Sequence, residues 1–117
     1  MTAIIYIETI KGVYMQELSQ DNLNEVISSN SKVIVQYGAA WCGACRLVKP
    51  AFERLSTENT DVVFLYVDAE NFPASRELAN VENLPTFASF KDGKLVKQSA
   101  GTKIESIEGV LNEITGN

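Results

Sequence analysis

Apolar residues follow two different periods along this chain, and the strand-like runs are the clearer of the two. The runs 33–37 and 61–68 are almost continuously apolar and rich in β-branched residues, which is typical of strands covered on both faces of a sheet. Shorter strand patterns occur at 14–18, 86–90 and 95–98, and an Asp-Gly turn joins the last two. These runs predict five strands with a largely parallel centre.

Segments with helical spacing separate the strands. Ser19 is a suitable N-cap for a helix over about 21–28. The segment 46–55 repeats apolar residues at helical intervals, and its internal proline is expected to kink the helix. Further helices are predicted over 72–79 and 104–114. This order of elements predicts an α/β fold, a three-layer sandwich with helices on both sides of a central mixed sheet.

Bulk composition bounds the function. The chain has 117 residues, which suits a single domain with one core. A formal net charge of −5 without any basic cluster argues against a nucleic-acid partner. No run of residues is long and apolar enough to span a bilayer, so no membrane partner is expected.

The N-terminal segment does not match a secretory signal. Residues 1–10 are mostly apolar, but they lack a basic region and contain Glu8. Residues 1–12 are therefore interpreted as an N-terminal extension, and residues 13–117 as the domain. A cytoplasmic location is expected, and in that compartment two cysteines indicate catalysis rather than a structural crosslink.

The two cysteines, Cys42 and Cys45, lie where a predicted strand runs into a predicted helix. A structural zinc site needs four ligands, and this chain has no histidine and no third cysteine. A zinc site would have to be shared between two chains, and no metal is expected. Two inert buried thiols fit poorly with Gly43 between them and with the helix start. The context therefore favours redox chemistry.

Helix geometry assigns different roles to the two thiols. Residues i and i+3 of a first helical turn share a face, so the two sulfur atoms can form a disulfide. Cys42 would be exposed at the helix N-terminus, where free N–H groups and the helix dipole stabilise a thiolate. Cys42 is thus the predicted nucleophile. Cys45, one turn further in, is predicted to resolve the mixed disulfide.

The stretch 39–45, Ala-Ala-Trp-Cys-Gly-Ala-Cys, resembles the WCGPC active site of the thioredoxin family, and the resemblance extends over about 14–114. Other matching positions are Pro50, Asp68, Leu84-Pro85-Thr86, Gly93 and Gly101. The resemblance implies the thioredoxin fold. It also implies a thiol–disulfide oxidoreductase that reduces protein disulfides by dithiol–disulfide exchange and needs no cofactor beyond its own cysteine pair.

The resemblance also implies roles for individual residues. The active site would be supported by Trp41, Gly43, Ala44, Gln36 and Asp68. The substrate would be contacted by Trp41, Leu84, Pro85, Ala100 and Gly101. In the family the proline of this loop is cis, and the aspartate matching Asp68 accepts a hydrogen bond from the active-site tryptophan.

The implied partners are disulfide-containing protein substrates and an electron donor of the thioredoxin-reductase type, and a monomer is expected. The alternative is a binding or assembly module of the same fold with weak redox activity. A lost buried acid, described next, keeps this alternative open.

Three positions depart from the family pattern. Ala44 replaces a proline, which restores a backbone N–H near the nucleophile. Gln36 stands where the family usually has a buried aspartate, and an amide cannot accept the proton of Cys45. Phe64 stands where some members have a lysine that pairs with that aspartate. Deprotonation of Cys45 is therefore expected to proceed through water or another indirect route.

Overall fold

The computed structural model describes residues 15–116, and its elements follow the predicted order. They are β1 (Met15–Glu17), α1 (Leu23–Ser29), β2 (Lys32–Gly38), α2 (Gly43–Glu58), β3 (Val63–Asp68), α3 (Pro73–Arg76), β4 (Thr86–Lys91), β5 (Lys94–Ala100) and α4 (Ile104–Thr115). The predicted N-terminal extension, residues 1–12, lies outside the described residues. Between residues 15 and 116, no helix has the length and apolar character needed to cross a membrane.

The five strands form one mixed sheet in the order β1-β3-β2-β4-β5. β3 runs parallel to both β1 and β2, whereas β4 runs antiparallel to β2 and β5. The two most apolar runs of the sequence, β2 and β3, are thus adjacent in the interior of the sheet. The predicted parallel centre and antiparallel hairpin are confirmed.

Alternation along β2 divides the core into two layers. Val33, Val35 and Tyr37 pack on one face with residues of α1. Ile34 points to the other face, where it joins a cluster built by α2 and α4. Because side chains alternate along a strand, Gln36 lies on this second face as well. The structure therefore confirms the three-layer sandwich, and it places Gln36 toward α2.

Three aromatic rings attach α2 to the sheet. Phe52 of α2 is fully buried, and its ring centroid lies 5.0 Å from that of Phe64 and 5.3 Å from that of Phe87. Both contacts are tilted, a favourable geometry for aromatic pairs. Phe64, at the position where some family members carry a lysine, is therefore an apolar anchor for the helix.

The predicted start of α1 is wrong. The N-cap is Asn22, not Ser19, because the chain stays extended through Leu18, whose N–H donates to the Tyr66 carbonyl at 2.9 Å.

Asp21, just before this N-cap, contacts the start of α3. Its carboxylate accepts hydrogen bonds from the N–H groups of Ala74 and Ser75 at 3.0 and 2.7 Å.

We predict that Phe52→Ala destabilises the fold by about 3–5 kcal/mol, because it removes a fully buried ring and leaves a cavity between two others. Leu47→Ala is the matched control on the same helix. Leu47 is 76% exposed, so its loss should change stability by less than about 0.5 kcal/mol. Urea unfolding of both variants measures the difference, and equal midpoints would contradict this account of the core.

Candidate active site

The cysteine pair lies at the junction between β2 and α2. Cys42 is the N-cap of α2, with extended backbone angles, and Cys45 is in the first helical turn. The two residues form a disulfide, and their Cα atoms are 5.3 Å apart. The structure thus brings together the two sulfur atoms that the spacing predicted to meet.

The helix N-terminus creates a favourable environment for a negative charge on Cys42. The Cys45 N–H donates to the Cys42 sulfur over 3.1 Å, which satisfies one of the free N–H groups of the first turn. α2 has 16 residues and no acidic side chain in its first turn. Its dipole is therefore unopposed locally and would stabilise a Cys42 thiolate in the reduced protein.

Cys42 is more deeply placed than the sequence suggested, whereas Cys45 is shielded as predicted. Cys42 is 6% exposed and Cys45 is 1% exposed. The order of exposure agrees with the predicted roles, but Cys42 is not the openly exposed residue that was expected. The reason is packing, because the disulfide forms a small apolar cluster with Ala39, and Leu84 covers it.

The expected partner of Trp41 is wrong. The indole N–H donates to the Glu70 carboxylate at 3.0 Å, not to Asp68. Asp68 ends β3 and accepts hydrogen bonds from the turn that follows it: from the N–H groups of Glu70 and Asn71, and from the Asn71 side chain at 2.7 Å. Burial opposes ionisation of Asp68, but these hydrogen bonds outweigh it and lower the pKa of its carboxyl.

The sequence signal for the Trp41 partner was ambiguous because two carboxylates lie two residues apart, at 68 and 70. The family resemblance implied the aspartate, which ends the strand. The short side chain of Asp68 accepts hydrogen bonds within the turn, whereas the longer side chain of Glu70 reaches the indole. Trp41 itself remains 67% exposed and presents its ring to solvent.

Gln36 lies directly behind the resolving cysteine. It is fully buried, and its amide nitrogen donates to the Cys45 carbonyl over 3.1 Å. Within residues 15–116, its amide oxygen finds no hydrogen-bond partner, which is costly for a buried polar atom. The predicted proximity of Gln36 to the cysteine pair is confirmed, and the side chain provides a neutral contact where a family member would carry an acid.

The predicted substrate-contact residues converge on one end of the sheet. The Leu84–Pro85 peptide bond is cis, as the family resemblance implied. Leu84 packs against the cysteine cluster, and the Gly101 N–H donates to the Pro85 carbonyl at 2.9 Å. Ala100 and Gly101 are exposed beside this loop, whereas Pro85 is buried. Their contact with substrate stays a prediction.

A pocket of about 230 Å³ opens beside Cys45, and sequence reasoning missed most of it. It is lined by Glu17, Ala39, Ala40, Cys45, Arg46, Lys49, Tyr66 and Asp68. Tyr66 closes one wall, and its ring lies so close to Gly38 that a Cβ there would meet the tyrosine oxygen at 2.5 Å. The only sequence signal was the glycine that ends a buried strand, since Tyr66 lies inside an apolar run.

Among residues 15–116, no three side chains of His, Cys, Asp or Glu come close enough together to hold a metal ion. Gly43 and Ala44 are exposed at the start of α2, between the two cysteines. The site therefore consists of a disulfide at a helix N-terminus, a neutral buried amide behind it, and a charged pocket beside it. This arrangement suits thiol–disulfide exchange.

Comparisons with known proteins agree with this interpretation. The family model described as Thioredoxin matches residues 14–113. Thioredoxin from Ovis aries is 33% identical over 105 residues, which covers 90% of this chain and 98% of that protein.

Solved structures give the same result. Oxidised mitochondrial thioredoxin 3 from Saccharomyces cerevisiae superposes with a TM-score of 0.76 at 26% identity, and the match covers 84% of this chain and 93% of that one. A chain from a complex of ferredoxin:thioredoxin reductase with thioredoxin f2 superposes with a TM-score of 0.74 at 28% identity, covering 84% and 91%.

We predict that limiting iodoacetamide labels Cys42 before Cys45 in the reduced protein. Cys42 lies at the helix N-terminus and is the more accessible of the two thiols. Peptide mapping by mass spectrometry identifies the labelled residue. Preferential labelling of Cys45 would reverse the assigned roles.

We predict that Ala44→Pro makes the reduction potential of the cysteine pair more negative, by an amount on the order of 30 mV, a tenfold change in the exchange equilibrium. Proline removes one exposed N–H from the first turn of α2 and so withdraws support from the Cys42 thiolate. Equilibration with glutathione measures the potential. Ala44→Ser retains the N–H and should stay near wild type; a proline variant with an unchanged or less negative potential would refute the argument.

Proposed function

The chain belongs to the thioredoxin family and is a thiol–disulfide oxidoreductase, and we propose that it works as a monomeric cytoplasmic reductase supplied with electrons by a partner reductase. The observation that carries this proposal is the Cys42–Cys45 disulfide at the N-terminus of α2. The thiolate needed for attack is stabilised there, and the second sulfur is already within bonding reach of the first.

The chemistry proceeds in two exchange steps. The Cys42 thiolate attacks one sulfur of the substrate disulfide, so a mixed disulfide forms and the other substrate sulfur leaves as a thiolate. The Cys45 thiolate then attacks the Cys42 sulfur, and the second substrate sulfur leaves. Two electrons pass to the substrate, water protonates the released thiolates, and the chain ends in the oxidised form seen here.

Each turnover leaves the chain needing two electrons, which fits a dedicated donor. We propose a donor of the thioredoxin-reductase type. Support comes from the solved complex of ferredoxin:thioredoxin reductase with thioredoxin f2, in which a chain of this fold sits on a reductase. The exposed indole of Trp41 and the exposed residues Ala100 and Gly101 offer a docking surface around the buried disulfide.

The cytoplasmic location is part of this proposal, because a chain whose two cysteines form one redox pair suits a reducing compartment. A reducing compartment would keep the pair available for reduction of substrates. The assembly-module alternative is not favoured, because the cysteine pair, the cis-proline loop and the helix N-terminus are all in place.

We predict that the reduced protein cleaves insulin disulfides with dithiothreitol as electron source, and that Cys42→Ser abolishes this activity because the attacking sulfur is lost. Cys45→Ser should instead accumulate a mixed disulfide with insulin, visible on a non-reducing gel, because resolution is blocked. Leu47→Ala, which alters an exposed residue of the same helix, is the control for nonspecific damage. A folded wild-type protein without insulin reduction would favour the assembly module.

A further inference from the structure

On its sheet side, the resolving cysteine faces the neutral side chain of Gln36. Before Cys45 attacks the mixed disulfide, its thiol must lose a proton. Gln36, fully buried behind it, is an amide and cannot take that proton. Phe64, on the same face of the sheet, is an apolar core residue. The proton therefore has to leave on another side of Cys45.

The pocket of about 230 Å³ provides that side, because Cys45 is one of its lining residues. A space of this size holds several water molecules. The groups facing it come from three elements and comprise Glu17 of β1, Arg46 and Lys49 of α2, and Tyr66 and Asp68 of β3. Two carboxylates and two cations thus surround the pocket, so their placement decides which charge Cys45 experiences.

Three of the four charged side chains, Glu17, Arg46 and Asp68, are either exposed to solvent or hydrogen-bonded to other groups. Glu17 and Arg46 are exposed to solvent, which weakens their influence on a buried sulfur. The Arg46 guanidinium also donates to the Ala40 carbonyl at 2.7 Å. The Asp68 carboxylate accepts three hydrogen bonds from the turn at 70–71, which disperse its charge.

Lys49 differs from the other three. It is partly buried, and it follows Cys45 by four residues along α2, so the two side chains share one helix face. Its ammonium lies 4.8 Å from the centroid of the Tyr66 ring, a cation–π contact that holds it at the pocket wall.

Tyr66, the aromatic partner of Lys49, adds no charge of its own to the pocket wall. Burial, followed by the charges of Asp68 and Glu17, raises the pKa of the Tyr66 hydroxyl, and Arg46 opposes the rise. The phenol therefore stays uncharged at neutral pH, and its ring packs against Gly38 at the end of β2. The ring is a support for Lys49 and adds no negative charge that would compete with a thiolate.

We propose that Lys49 is a positioning residue for the resolving step: its ammonium stabilises the Cys45 thiolate across the pocket, and the proton of Cys45 leaves into the pocket water. The proposal rests on the exchange chemistry described above. In the step itself, the Cys45 S–H bond breaks and the proton passes to water. The Cys45–Cys42 bond then forms as the bond between Cys42 and the substrate sulfur breaks, and that sulfur leaves with the electron pair.

The test uses the Cys42→Ser protein, in which Cys45 is the only thiol of the chain. Ultraviolet thiolate absorbance, followed over roughly pH 6 to 10 to bracket the free cysteine range, gives the pH midpoint of Cys45 ionisation. Adding Lys49→Met should move this midpoint upward by about half a pH unit or more, equivalent to a roughly threefold loss of thiolate near neutral pH.

Two further variants separate charge from structure. Lys49→Arg keeps a cation and should restore most of the wild-type midpoint. Lys94→Met removes the same charge from the exposed start of β5 and should leave the midpoint unchanged. The effect of Lys49→Met should also shrink as salt is added, as expected for an electrostatic contact. If Lys49→Met does not fold, as judged by urea unfolding, Lys49→Gln takes its place.

Equal midpoints for Lys49→Met and Lys94→Met would overturn the proposal. So would an equal upward shift in Lys49→Arg, since that would assign the effect to packing and not to charge. The midpoint needs no substrate and no electron donor, so a failed insulin assay and a failed Lys49 test remain distinguishable.

Discussion

The packing of α2 against the sheet is the interaction on which the rest of the site depends. Phe52 is buried between Phe64 and Phe87, and this contact holds a 16-residue helix against the face toward which Gln36 points. Because the helix is held along its length, its N-terminus is held at the end of β2. The Cys42 sulfur therefore lies beside the free N–H groups of the first turn, and the Cys45 carbonyl accepts a hydrogen bond from Gln36.

The environment of the resolving cysteine is asymmetric, and the asymmetry explains how the chain can work without a buried acid. Toward the sheet, Cys45 meets the neutral amide of Gln36. Toward the pocket it faces a space open to solvent, the partly buried side chain of Lys49, and carboxylates that are exposed or hydrogen-bonded elsewhere. A buried acid without a cation would have been costly here, since Phe64 offers no charge. Placing the charged groups on the solvent side avoids that cost.

Family membership accounts for the thiol–disulfide exchange chemistry, and local substitutions account for the surroundings of Cys45. Relatives such as the Ovis aries thioredoxin share about a third of the residues over 90% of this chain, and this chain has the cysteine pair, the cis-proline loop and the mixed sheet on which the exchange chemistry depends. In this chain, Gln36 lies behind Cys45, and Tyr66 packs against Gly38 beside it. This arrangement directs the proton of the resolving step toward the pocket.

Hydrophobic periodicity and residue spacing were sufficient to predict the order of elements, the three-layer architecture and redox chemistry at Cys42 and Cys45, because both are properties of neighbouring residues. Packing of the folded chain was needed to establish that Trp41 donates to Glu70, that Cys42 is nearly buried, and that Lys49 and Tyr66 line the pocket beside Cys45. The contact of Trp41 with Glu70 and the placement of Tyr66 beside Cys45 join residues distant along the chain, and they depend on side-chain length and on competing hydrogen bonds. Such dependences leave no periodic pattern, so only the packed chain reveals them.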